Sequence, residues 1–88
     1  MGRRRLPGAV KVKQITVRID DAVRASTVVS WIYEYLRRPV LLPPDPGPGR
    51  ARLRLRLRAP VAAEFRRLAG SSLSSAVRRL IESYRRGA

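Results

Sequence analysis

Arg52, Arg54, Arg56 and Arg58 alternate with Leu53, Leu55 and Leu57 in one unbroken run, and no other side chains in this sequence are better placed to do chemistry together. A guanidinium is planar, permanently charged and carries five N–H donors in a fork that matches a phosphate or the O6 and N7 edge of guanine. That is recognition chemistry, because such a group neither takes up nor releases a proton near neutral pH. The residues that break bonds are scarce. The chain has no histidine and no cysteine, which excludes the common imidazole base, thiolate chemistry, disulfides and the usual zinc sites. Of six acidic residues only Asp20 and Asp21 are adjacent, and neighbours on a strand or helix point apart rather than at one metal. The chain is therefore expected not to be an enzyme and to need no metal or cofactor.

For the arginines to act together, something must hold them on one side. A two-residue period does so if the run is a strand, with three leucines on one face and four arginines on the other. Pro60 follows at once and opens a helix. The rest of the composition agrees with a polyanionic partner. The 88 residues carry a net charge of +14, distributed as +5 over residues 1–20, 0 over 21–49 and +9 over 50–88. Nucleic acid is the first expectation for such a balance, and an anionic membrane surface the second. No apolar run approaches the ~20 residues that cross a bilayer, and no secretory signal follows the basic start. A soluble protein of the cytoplasm, associated with the nucleoid, is the expectation.

Read in order, residues 1–9 with Arg3, Arg4 and Arg5 form a basic arm. Residues 10–38 make an accessory unit. Ile15, Val17 and Ile19 alternate with Gln14, Thr16 and Arg18, which predicts a strand over 13–19. Apolar residues at 22, 25, 29, 32 and 36 predict a helix over 21–38, N-capped by Asp20 and stopped by Pro39. Trp31, Tyr33 and Tyr35 on that helix are expected in a core or an interface rather than stacked on bases. Five prolines and two glycines over 39–49 predict a stiff linker, residues 39–50, from which Val40, Leu41 and Leu42 pack back. Residues 51–88 form the last unit: a strand over 52–58, a helix over 60–69 ending at Gly70, and a helix over 72–86 with its cap at Ser71 or Ser72. In that last helix Leu73, Ala76, Val77, Leu80, Ile81 and Tyr84 make one apolar stripe, while Arg78 and Arg79 are expected to be solvated.

The strand Arg54-Leu55-Arg56-Leu57-Arg58, Pro60, Gly70 and the run Gly70-Ser71-Ser72-Leu73-Ser74-Ser75-Ala76-Val77, closing on Tyr84, resemble a ribbon-helix-helix domain of the Arc and MetJ type. The resemblance implies an α+β, mostly helical fold that dimerises through an antiparallel two-stranded ribbon, with a core of Leu55, Leu57, Phe65, Leu68, Val77, Leu80, Ile81 and Tyr84. It implies base contacts from Arg54, Arg56 and Arg58 and phosphate contacts from Arg52 and the helix start at Ser72, Leu73 and Ser74. Accessory contacts fall to Arg3, Arg4, Arg5, Gln14, Thr16 and Arg18. An all-arginine strand departs from the family's mixture of amide, hydroxyl and basic readers.

The first half resembles a reduced copy, but the interval between Asp20 and Ser26 is too short for a first helix and turn. Two architectures follow. Either two chains pair their 52–58 strands, giving a homodimer or higher oligomer, or Ile15–Ile19 pairs with Leu53–Leu57 of its own chain. The missing helix, which would leave a one-chain arrangement underfilled, favours the first. The implied function is a regulator of transcription on double-stranded DNA. Two alternatives are an antitoxin, with residues 21–42 masking a toxin protein, and a nonspecific architectural DNA- or RNA-binding protein.

Overall fold

A computed structural model describes residues 11–20 and 23–87. The arginine-leucine run is a strand, and its partner in the chain is the strand predicted in the first half. The first strand, β1 (Val12–Ile19), pairs antiparallel with the second, β2 (Ala51–Arg58), within one chain. Ile15 lies opposite Leu55 and Val17 opposite Leu53. The pleat then puts Ile15, Val17, Ile19, Leu53, Leu55 and Leu57 on one face, and all six are buried. Each such side chain contributes ~1.5–3 kcal/mol on leaving water. A one-residue slip would exchange this face for the charged one, so the hydrophobic pattern fixes the register.

Three helices cover the apolar face: α1 (Ala25–Arg37), α2 (Ala59–Ala69) and α3 (Leu73–Arg85). β2 runs into α2 without a loop, and the N–H of Ala59 donates to Lys11 O at 2.8 Å, extending the ladder past the strand end. Gly70, at φ +70°, ends α2 in the left-handed conformation that costs glycine least. Val28, Ile32 and Tyr35 of α1, Phe65 of α2 and Val77, Leu80 and Ile81 of α3 are buried in one continuous core with the ribbon. Leu68 and Tyr84 pack on its edge. Two ring contacts lock α1 to the others: Trp31 stacks on Tyr84 with centroids 4.2 Å apart, and Tyr35 meets Phe65 edge-on at 5.6 Å. The residues expected to be shared between two copies thus form the core of a single chain, and the stretches on either side of the linker share that core.

Several boundaries differ from the pattern-based expectation. α1 begins at Ala25 rather than residue 21, with Arg24 as its N-cap and no side-chain capping bond. A helix starting at the strand end would leave no chain to turn from the ribbon onto its face. The C-terminal end is as expected: the residue before proline is held out of the helical region, and Arg38 at φ −136°, ψ 83° leaves the helix before Pro39.

The linker is a built part of the fold. Leu42 enters the core, whereas Val40 and Leu41 remain exposed, Leu41 almost fully at 96 %. Leu42 joins the buried core, and the segment after it lies beside α3. Arg78 and Arg79, expected to be solvated, hold this segment to α3. Arg78 forks onto Asp45, Nε to Oδ1 and Nη2 to Oδ2, both at 2.8 Å. Arg79 donates to the carbonyls of Pro43 (2.8 Å), Ala69 (3.0 Å) and Leu42 (3.3 Å) and to the Ser71 hydroxyl. At the far end Gly49 passes so close to the backbone of Ile19 and Asp20 that a Cβ there would collide with Ile19 C and O.

Two predictions follow from this clamp. Gly49→Ala sets a methyl against backbone that cannot rotate away, so it should destabilise the chain by ~1–3 kcal/mol, a fall in Tm of about 4–8 °C per kcal/mol in a domain of this size. Thermal unfolding followed by circular dichroism measures it. The Arg78 fork, opposed by some loss of solvent, holds the Asp45 carboxyl well below its ordinary range. A depressed carboxyl stabilises the fold above its unfolded value of ~3.9 and loses that contribution as pH falls toward the folded value. Asp45→Asn should therefore lower stability at pH 7 and flatten its decline below about pH 4 in acid titrations of the unfolding midpoint.

Candidate nucleic-acid interface

The face of the ribbon turned away from the core is where the sequence-predicted readers come together. Along β2 it presents Arg52, Arg54, Arg56 and Arg58; along β1 it presents Val12, Gln14, Thr16 and Arg18. All eight are exposed. Across the strands the pairs are Val12 with Arg58, Gln14 with Arg56, Thr16 with Arg54 and Arg18 with Arg52. The mixture of amide, hydroxyl and basic groups that β2 alone lacks is supplied by β1.

Its dimensions suit a duplex. Alternate residues on a strand stand about 6.6–6.8 Å apart, and neighbouring strands about 4.8 Å. The first figure is close to twice the ~3.4 Å rise between bases, and a two-stranded ribbon is admitted by a major groove ~12 Å wide.

The face is also unneutralised. Of the five described carboxylates, Asp20 is exposed just past the end of β1, while those of Glu34, Asp45, Glu64 and Glu82, on the helices or the linker, are paired with Arg37, Arg78, Arg67 and the pair Arg85 and Arg86 respectively. The Glu64–Arg67 pair lowers the Glu64 carboxyl and raises the Arg67 guanidinium from their ordinary values. None of Arg18, Arg52, Arg54, Arg56 and Arg58 has a carboxylate partner among the described residues. Like charges directly opposite on a ribbon repel, as Arg18 and Arg52 do here.

The start of α3 is a conventional cap. The Ser72 hydroxyl accepts from the Ser75 N–H at 3.2 Å, and Ser72 O accepts from Ala76 N–H at 2.8 Å. Leu73 and Ser74 are half-buried in the first turn, where helix geometry provides no intrahelical carbonyl for the N–H groups. Gly70, Ser71 and Ser72 line a shallow groove with Arg66 and Arg67. Arg3, Arg4 and Arg5 lie outside the described residues. No group of three or more metal-ligating side chains, and no helix long and apolar enough to cross a membrane, occurs among the described residues.

Residue patterns did not reveal the roles of Arg78, Arg79, Asp45 and Gly49. Arg78 and Asp45 are 33 positions apart, beyond any local spacing rule, and the only cue was a lone acid in a proline-rich stretch. No protein family, no curated protein and no solved structure matches the chain.

Because the ribbon's cations crowd one another without acids, removing one should relieve strain. Arg52→Thr is expected to leave the fold intact and change stability within ~0.5 kcal/mol, toward higher Tm at low salt. The gain should vanish as added salt shortens the screening length to ~10 Å or less. A large loss of stability would mean that Arg52 holds the fold.

Proposed function

We propose that the chain binds double-stranded DNA by laying the outer face of the β1–β2 ribbon in a major groove, and that it does so as a regulator of transcription. The observation that carries this reading is an antiparallel ribbon whose outer strand positions bear five guanidiniums, an amide and a hydroxyl and no acid, with the exposed Asp20 just past the end of β1. The ribbon-helix-helix resemblance of residues 52–86, which rests partly on the same strand, points the same way.

In this reading Arg54, Arg56 and Arg58 donate in pairs to guanine O6 and N7, while Gln14 and Thr16 meet neighbouring base edges. Arg52 and Arg18, at the end of the ribbon, hold phosphates. The backbone N–H groups at Leu73 and Ser74, favoured by the helix dipole, take a further phosphate next to Ser72. Arg3, Arg4 and Arg5 add electrostatic attraction along the backbone. The core and the linker clamp contribute rigidity, keeping side chains in register with the bases.

A second reading is favoured by the uniform arginines of β2: an electrostatic clamp on nucleic acid with little regard for sequence. The antitoxin reading has less to stand on. The buried side of α1 is committed to the chain's own core, leaving Tyr33, Val40 and Leu41 as the exposed large apolar groups among the described residues of the segment.

Fluorescence anisotropy decides between the first two, comparing duplex from upstream of the chain's own gene with a scrambled duplex of equal composition over a salt series. A regulator should keep a preference of about a hundredfold or more at physiological salt. A clamp loses both together, with a log-log slope of about −0.9 per phosphate contacted. Arg56→Ala, folded and soluble, should weaken specific binding by about tenfold or more. Unchanged specific affinity in that variant would sink the ribbon as the reader.

A further inference from the structure

We propose that one chain is a complete reading unit and that its duplex target is not an inverted repeat. The inference rests on the DNA-binding reading above and goes beyond it to the form of the site. A ribbon made of two identical strands has a two-fold axis through its centre, so each outward group recurs at the opposite end on the other strand. Two-fold symmetry in the protein is mirrored by palindromy in the DNA.

This ribbon has no such equivalence. Exchange of the strands about its centre would put Thr16 where Arg56 stands and Gln14 where Arg54 stands. At the ends it would put Val12 where Arg52 stands; only Arg18 and Arg58 exchange like for like. Shifting the axis by one outward position does not help, because β2 carries arginine at every outward position and β1 only at Arg18. Four of the five outward charges therefore belong to one strand.

The supports differ as well. β2 is followed directly by α2 and α3, whereas β1 is followed by α1 alone. The ribbon is closed within the chain by the register, by the Gly49 approach to Ile19 and by the Arg78 and Arg79 clamp. No second copy is needed to complete the face.

The chemistry of the two strands sets the expected sequence. Arginine forks select guanine, whereas a glutamine amide is suited to the N6 and N7 edge of adenine and a hydroxyl discriminates weakly. Guanines should gather on one DNA strand under β2, and the side read by β1 should include a position preferring adenine.

The test is selection of binding duplexes from a randomised library by the full chain, followed by sequencing, with native mass spectrometry of the complex on the shortest retained duplex. A consensus with guanines biased to one strand, without inverted repeat and held by one chain, supports the proposal. In Gln14→Ala, preference at a single position should fall roughly tenfold with the rest retained. In Gln14→Arg combined with Thr16→Arg, checked for folding by circular dichroism, the second strand should gain guanines. An inverted-repeat consensus carrying two chains would overturn the inference while leaving DNA binding in place, and so would enrichment without any consensus. Absence of duplex binding at low salt would instead remove the DNA-binding reading itself, and this inference with it.

Discussion

Everything else in this chain depends on the register of β1 against β2. Pairing Ile15 with Leu55 and Val17 with Leu53 puts Ile15, Val17, Ile19, Leu53, Leu55 and Leu57 under the helices and every arginine of β2 outside. A shift by one residue would drive several guanidiniums into the core, where an unpaired charge costs several kcal/mol. The alternation that makes the outer face cationic is therefore the same feature that makes the inner face a core. Neither face can be altered in register without destroying the other.

Arginine serves two opposite purposes here, and the placement of acids and carbonyls separates them. Arg78 and Arg79 are held by Asp45 and by main-chain carbonyls, and they convert a proline-rich connector into a fixed wall beside α3. A lysine in place of Arg79 would lack the planar fork that reaches several carbonyls at once. The ribbon arginines find no such partners among the described residues, and Arg18 faces Arg52 directly. Repulsion among exposed charges of this kind is eased by salt or by any anion that comes between them.

The periodic parts of this fold were legible in the residues. Both strands, the stop at Pro39, the Gly70 turn and the apolar stripe of α3 follow from alternation, three-four spacing and backbone preference, all of which are local. The face that gathers Gln14, Thr16, Arg18 and the β2 arginines was legible residue by residue, but its joining was not. Strand partners are chosen by the whole core, and the pairing of β1 with β2 inside the chain was one of two arrangements the residues left open, because the linker's contribution to packing was not foreseeable. Leu42 enters the core while its neighbour Leu41 stays in water, and nothing in a three-residue apolar run distinguishes them. The late start of α1 has the same origin, since the chain needs residues to turn and sequence periodicity alone does not count them.

Closing the ribbon inside one chain changes its thermodynamics. A ribbon assembled from two chains dissolves on dilution, because its stability includes a translational term that depends on concentration. Here the connection between α1 and β2 is covalent, and loop-closure entropy rises only slowly with length. Prolines at 39, 43, 44, 46 and 48 reduce it further by restricting the unfolded chain before it folds. A face formed by strands of one chain does not depend on the concentration of the protein for its assembly. The two strands of such a ribbon are also released from the requirement of being identical. Gln14 and Thr16 opposite Arg56 and Arg54 are what that release permits, and they give the face a direction that two copies of one strand could not have.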